Sequence, residues 1–189
     1  DFSGPLPGQP NGTPMDNTEL LILDPKDLRI VARLELSEPS IARLSADGNN
    51  IYVVGDHTLI RVMWNGESLT VDDSFNARYR TIDGQTFGWD TVITDDDAWF
   101  LDNGEGTQLF TGSFRGVGIS TAPLHLVRVN KQTGHVTLTE ICGLPNGIVA
   151  NPPVVDMKRQ IVVGFDSGNG VISGFDFDED SVTLRWSHE

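Results

Sequence analysis

The sequence predicts an all-β protein organised as β-propeller blades, and three observations carry that expectation. A strand-turn-strand unit recurs four times, at Glu19–Leu36, Leu59–Asp72, Leu124–Ile141 and Gly170–Trp186. Counted from Asp24, Trp64, Asn130 and Asp176, the units lie 40, 66 and 46 residues apart. A period of about 40–50 residues made of four short strands is that of a propeller blade. The composition agrees: 38% hydrophobic residues with 20 Gly and 10 Pro suit a loop-rich β protein, and no segment carries the 3.6-residue period of a helix.

The elements follow in order. Leu20–Leu23 and Arg29–Leu36 form a first pair around Asp24-Pro25-Lys26-Asp27. Ile41–Ser45, Ile51–Val54, Leu59–Trp64 and Leu69–Asp72 form a four-stranded unit whose last turn is Asn65-Gly66-Glu67-Ser68. Thr91–Thr94, Ala98–Leu101, Leu124–Val129 and Val136–Ile141 form the next, closed by Asn130-Lys131-Gln132-Thr133-Gly134. Pro153–Val155, Ile161–Phe165, Val171–Phe175 and Val182–Trp186 form the last, with Asp178-Glu179-Asp180-Ser181. These turn sequences supply the side-chain acceptors and left-handed positions that tight turns require.

Fourteen strands make three and a half blades. The first pair corresponds to the outer half of a blade, so the reading expects a portion of a larger ring. The remaining blades would come from the same or a second chain, because a propeller closes to protect its edges. The rival reading is an open sheet array or a distorted four-bladed ring. Residues 1–17 read as a flexible arm rich in Gly, Pro, Asn and Thr, ahead of a partial propeller over 18–189. The sequon Asn11-Gly12-Thr13 and this arm point to a secreted or periplasmic, hence extracellular or periplasmic, setting.

Blade order sorts the connections onto two faces. The turns between first and second strands, and between third and fourth, are all short. The long segments, Asp73 to Asp90 and Asp102 to Pro123, both belong to the opposite face. Loops longer than about 12–15 residues are commonly functional, so this face is the expected binding face. The candidate ligand-binding residues on it are His57, Arg78, Arg80, Trp89, Asp102, Glu105 and Arg115. Arginine offers a planar donor fork to carboxylate, sulfate or phosphate, and aromatics offer stacking surfaces to sugars. The expected partner is a polar small molecule, a glycan or a protein. The plainer alternative is that the aromatics anchor the loops and the arginines pair locally with Asp.

Other chemistry is less supported. The net charge of −14, with 13 basic against 27 acidic residues and no basic block, excludes nucleic acid and an anionic membrane surface as partners. The single Cys142 excludes an intrachain disulfide and thiolate clusters. Four scattered His show no metal spacing, and no Gly-x-Ser-x-Gly elbow or phosphate loop occurs. Asp95-Asp96-Asp97 reads as a solvated turn rather than a Ca²⁺ loop. Asn146 and Asp166 lie in Gly-rich turns on the long-loop face, where they either serve the turns or project oxygen ligands towards the channel.

Two family resemblances follow from particular residues. Pro152-Pro153-Val154-Val155-Asp156, Ile161-Val162-Val163-Gly164, Asp166-Ser167-Gly168-Asn169-Gly170 and Phe175-Asp176 with Trp186 resemble a quinoprotein-like (PQQ-like) repeat. Leu126-Val127-Arg128-Val129 with Thr133-Gly134 is similar to the matching segment in the preceding blade, so the resemblance spans about 91–189. It implies a propeller that binds a ligand or serves as a scaffold, many such members holding no quinone. Pro145-Asn146-Gly147 and Asp166-Ser167 resemble motifs of gluconolactonase-like six-bladed propellers. That resemblance implies a divalent cation, Ca²⁺ or another, held by Asn146 and Asp166, polarising a lactone or ester carbonyl. The alternatives to a binding propeller are therefore a metal-dependent lactonase or hydrolase, and a structural component of a multi-chain or multi-domain enzyme.

Overall fold

The computed structural model describes residues 16–40, 43–80, 88–103, 122–145, 147–148 and 151–189. The described residues contain strands and turns and no helix. Strands β1 (Glu19–Leu23) and β2 (Ile30–Glu35) form a two-stranded hairpin. The next sheet runs β3 (Ser45–Asp47), β4 (Asn50–Val54), β5 (Thr58–Trp64) and β6 (Leu69–Val71), with β7 (Ala77–Arg78) also on β5. The third comprises β8 (Val92–Ile93), β9 (Asp97–Asp102), β10 (His125–Asn130) and β11 (Val136–Glu140). The fourth comprises β12 (Val154–Asp156), β13 (Ile161–Asp166), β14 (Val171–Phe177) and β15 (Val182–His188). Every pairing is antiparallel, and all but β5 with β7 join neighbours in sequence, as consecutive propeller blades require. No closed ring is seen among the described residues.

The four hairpin turns share one device. An Asp or Asn at the turn start accepts backbone N–H groups just ahead of it: Asp24 from Lys26, Asn65 from Glu67 and Ser68, Asn130 from Gln132 and Thr133, Asp178 from Asp180 and Ser181. Gly66 (φ 96°) and Gly134 (φ 72°) take the left-handed positions that these two turns need.

Three apolar layers hold successive sheets together. Leu20 and Leu36 pack on Ile51, Val53, Ile60 and Val62. Tyr52, Val54 and Leu59 pack on Ala98, Phe100, Val127 and Val129. Trp99, Leu101 and Leu126 pack on Val162, Phe175 and Phe177. Strand alternation explains this arrangement, since residues two apart share a face and each sheet is apolar on both. Each fully buried aliphatic or aromatic side chain contributes about 1.5–3 kcal/mol.

An arginine reinforces each of the two joints between four-stranded sheets. Arg61 on β5 pairs with Asp72, lies 4.3 Å above the Phe75 ring, and donates Nη1–H to the Lys131 carbonyl of the next sheet. Arg128 on β10 pairs with Asp97, lies 5.1 Å above Trp99, and donates Nη1–H to the Asp178 carbonyl of the following sheet. Asp97 is therefore a buried ion-pair partner, not a member of a solvated acidic turn as its triplet suggested.

Strand β7 is a second departure from expectation. The segment after Asp72 does not leave the sheet at once. It bulges around the buried Phe75 and rejoins β5 at Leu59↔Ala77 and Thr58↔Arg78. Burial of Phe75 edge-on to Tyr52, with ring centroids 6.1 Å apart, gives the detour its driving force.

The Asp72 carboxyl is held below the ordinary carboxylate range, first by the Ser74 hydroxyl and then by Arg61. A lowered folded-state value means stability that is present above the unfolded value of 3.8 and lost as pH falls through the folded one. Asp72→Asn is therefore expected to be less stable than the parent near neutrality, with the gap closing below about pH 4. Urea midpoints measured across that range check this; a gap independent of pH would contradict it.

Candidate functional site

The two long connections do emerge side by side. Gly88, returning from the first, bridges Asp102 at the start of the second, and Trp89 N–H donates to the Leu101 carbonyl at 2.8 Å. A Cβ at position 88 would lie 2.6 Å from Val54 Cγ1 and 2.9 Å from the Phe100 ring, so only glycine lets the chain pass here. The short turn Gly55–His57 joins them. His57 O accepts from Tyr79 N–H and Arg80 N–H, and the Tyr79 hydroxyl donates to Gly55 O at 2.5 Å. Gly88 N–H in turn donates to that hydroxyl at 3.3 Å. Burial, with the nearby Asp102 charge, pushes the Tyr79 phenol well above its ordinary range, so it remains a neutral hydrogen-bonding hub.

At the centre of this junction Arg80 is wholly buried, with 0% of its side chain exposed. Its Nη2 pairs with Asp102 Oδ1, and His125 Nδ1 lies 3.9 Å from Asp102 Oδ2. Asp102 and His125 face each other across the β9–β10 ladder, which brings the imidazole to the carboxylate. Asn103, beside Asp102, is also fully buried. Arg80 Nε and Nη1 are buried and have no hydrogen-bond partner among the described residues. A buried guanidinium donor without an acceptor is costly, so this edge of Arg80 is where a hydrogen-bond acceptor would gain most.

The remaining expected residues distribute unevenly. Arg78 is exposed and donates Nε–H to Arg80 O at 2.7 Å, beside the junction but not within it. Trp89 is half-buried against the layer of Trp99 and Leu101, which makes it a loop anchor, the plainer of its two expected roles. His57 faces Glu38: its Nε2 lies 3.2 Å from Oε1, while Oε2 accepts from His57 N–H and Thr58 N–H. Glu105 and Arg115 lie outside the described residues, as does Asn146.

Asp166 does not fit a metal ligand. Its Oδ1 accepts from the N–H groups of Ile148, Gly168 and Asn169. Its Oδ2 accepts from Asn169 Nδ2 and from Cys142 Sγ–H, at 2.8 and 3.3 Å. Five donors use the acceptor capacity of one carboxylate, so no lone pair is left for a cation. The Cys142 thiol is pushed up by burial and then by this Asp166 contact, which keeps it a donor. Among the described residues no group of three or more His, Cys, Asp or Glu could hold a metal ion.

Sequence reasoning passed over Glu38 and the role of His125. Glu38 carries no local signal, sitting between two strands of different sheets. His125 was legible: counting the ladder back from the Asn130 turn sets it opposite Asp102.

No protein-family model and no curated protein matches this sequence. A likeness appears at the level of structure, and it defines the class of fold: β-propeller-like, all-β, with four-stranded antiparallel sheets. One such solved structure is that of a luciferin-regenerating enzyme, with a TM-score of 0.55 and 12% sequence identity. The match covers 94% of this chain and 54% of that one, so this chain spans about half the length of the structure it resembles.

Proposed function

We propose that this chain is the ligand-holding portion of a β-propeller whose working face is the Arg80–Asp102–His125 junction between the two long connections. The observation that carries the reading is the buried Arg80 guanidinium, whose Nε–H and Nη1–H have no hydrogen-bond partner among the described residues. Asp102 already balances the charge of Arg80 and fixes its orientation. The junction therefore suits a polar small molecule presenting carbonyl or hydroxyl oxygens, such as a saccharide. In a low-dielectric setting two such bonds to a charged donor are strong and directional. The likeness of 91–189 to quinoprotein-like repeats supports a binding propeller of this kind, and the sequon at Asn11 supports a secreted one. The hydrolase alternative rested on Asn146 and Asp166, and no observation favours it.

The test is a panel of neutral sugars, lactones and carboxylates titrated into the protein, with the His125 imidazole and Trp89 indole signals as NMR reporters. Arg80→Lys keeps a cation for Asp102 but removes the free guanidinium edge. It is expected to weaken any ligand found by at least about tenfold while the fold is retained. Unchanged affinity, or shifts that leave His125 untouched, would reject the reading.

Among the described residues no helix is long and apolar enough to cross a membrane.

A further inference from the structure

The ladders place equivalent positions of the three four-stranded sheets in register. The backbone bonds Trp64 N–H to Asn49 O, Lys131 N–H to Asp96 O and Phe177 N–H to Gln160 O align them. Tyr52, Trp99 and Val163 are then equivalent, as are Val54, Leu101 and Phe165. Leu59, Leu126 and Ile172 form a third set. In the first two sheets these positions are buried by the sheet that follows. In the last sheet Ile172 is 39% exposed, whereas Leu59 and Leu126 are at 0%. Val154, opposite Val163 on β12, is 67% exposed. Val163 and Phe165 beside them are only partly buried, so among the described residues nothing covers this apolar face as the following sheet covers the earlier two.

We infer that this face seats a further four-stranded antiparallel blade, carried by polypeptide outside residues 1–189. The two joints already formed specify its chemistry, because all four strands of the covering sheet contribute. Ile93, Ala98 and Phe100, Val127 and Val129, and Val136 come from successive strands at the first joint. Val155, Val162, Phe175 and Phe177, and Val182 come from successive strands at the second. The hairpin β1–β2 is no substitute. Its outward side offers exposed Leu21, Leu23 and Val31 on two strands only, half the breadth of the covering sheet at the two earlier joints. Nearly half of the luciferin-regenerating enzyme chain likewise lies outside the matched region.

This joint also differs from the earlier ones. Where they carry Arg61 and Arg128, β14 carries Gly174, roofed by the Trp186 indole; a Cβ there would lie 2.3 Å from that ring. No guanidinium stands at this position to clasp the incoming turn, so the contact is apolar.

The test appends a second copy of residues 151–189 after Glu189, presenting Val155, Val162, Phe175, Phe177 and Val182 to the open face. Hydrogen exchange and anilinonaphthalene sulfonate fluorescence are compared in the extended and original chains. Amides of the original β13 and β14 are expected to exchange at least about tenfold more slowly in the extended chain, with dye binding reduced. Ile172→Glu should erase both differences without shifting the urea midpoint of the original chain. Unchanged exchange on extension would overturn the proposal. So would a discrete dimer of the original chain that Leu21→Glu disperses, because a second copy would then be the occupant.

Discussion

Trp99→Ala is expected to destabilise the protein by about 3–5 kcal/mol, a large share of the roughly 5–15 kcal/mol that holds a typical domain folded. Trp99 is fully buried in the layer between the last two sheets, tilted against Phe177 at 4.9 Å and roofed by Arg128. Truncation opens a cavity lined by two sheets whose ladders cannot collapse into it, and it strips the Arg128 guanidinium of its aromatic support. Trp99→Phe separates packing from polarity. The indole Nε1–H is buried with no hydrogen-bond partner among the described residues, so removing it offsets some of the lost area. The Phe variant is expected to lie within about 1.5 kcal/mol of the parent. Urea unfolding followed by far-UV circular dichroism measures both, and equal losses in the two variants would refute the packing account.

Asp102→Asn is the second large effect. Arg80 is wholly buried and Asp102 is its charge partner, so neutralising the carboxylate leaves a cation in the interior. Breaking a buried pair from one side costs about 3–5 kcal/mol, whereas replacing both members with apolar groups of similar size is often neutral. The double variant Arg80→Met with Asp102→Leu is therefore expected to recover most of the loss, a coupling that a double-mutant cycle in urea reads directly. The double variant should also be folded and unable to hold the ligand proposed for this junction. If the single and double variants lost stability additively, the pair would not be the electrostatic unit described.

The architecture was largely legible in the chain because it rests on short-range rules. Alternating apolar residues and turns led by Asp24, Asn65, Asn130 and Asp178 specify strands and hairpins wherever they occur, and repetition at blade spacing specifies their grouping. Strand β7 escaped because a two-residue pairing beyond a bulge has no periodicity of its own; it exists through burial of Phe75. The candidate site was only partly legible. Loop length picked out the face on which Arg80, Asp102 and His57 do meet. Their ranking needed partners from distant positions: Trp89 became an anchor, Asp166 became a turn hub, and Glu38 and His125 entered from other segments.

By itself the sequence determined that this protein is all-β, divided into four-stranded units, with the described ends of its two long connections adjacent at Gly88 and Asp102. Those properties follow from side-chain alternation and turn chemistry, which act over a few residues. Only the tertiary structure decided that, among the described residues, Arg80 is buried with two donor nitrogens unpartnered, Asp166 has its carboxylate filled by five donors, and Val154 and Ile172 of the last sheet stay exposed. Each depends on which groups meet across sheets. Burial and hydrogen-bond saturation are properties of that meeting and not of any residue alone.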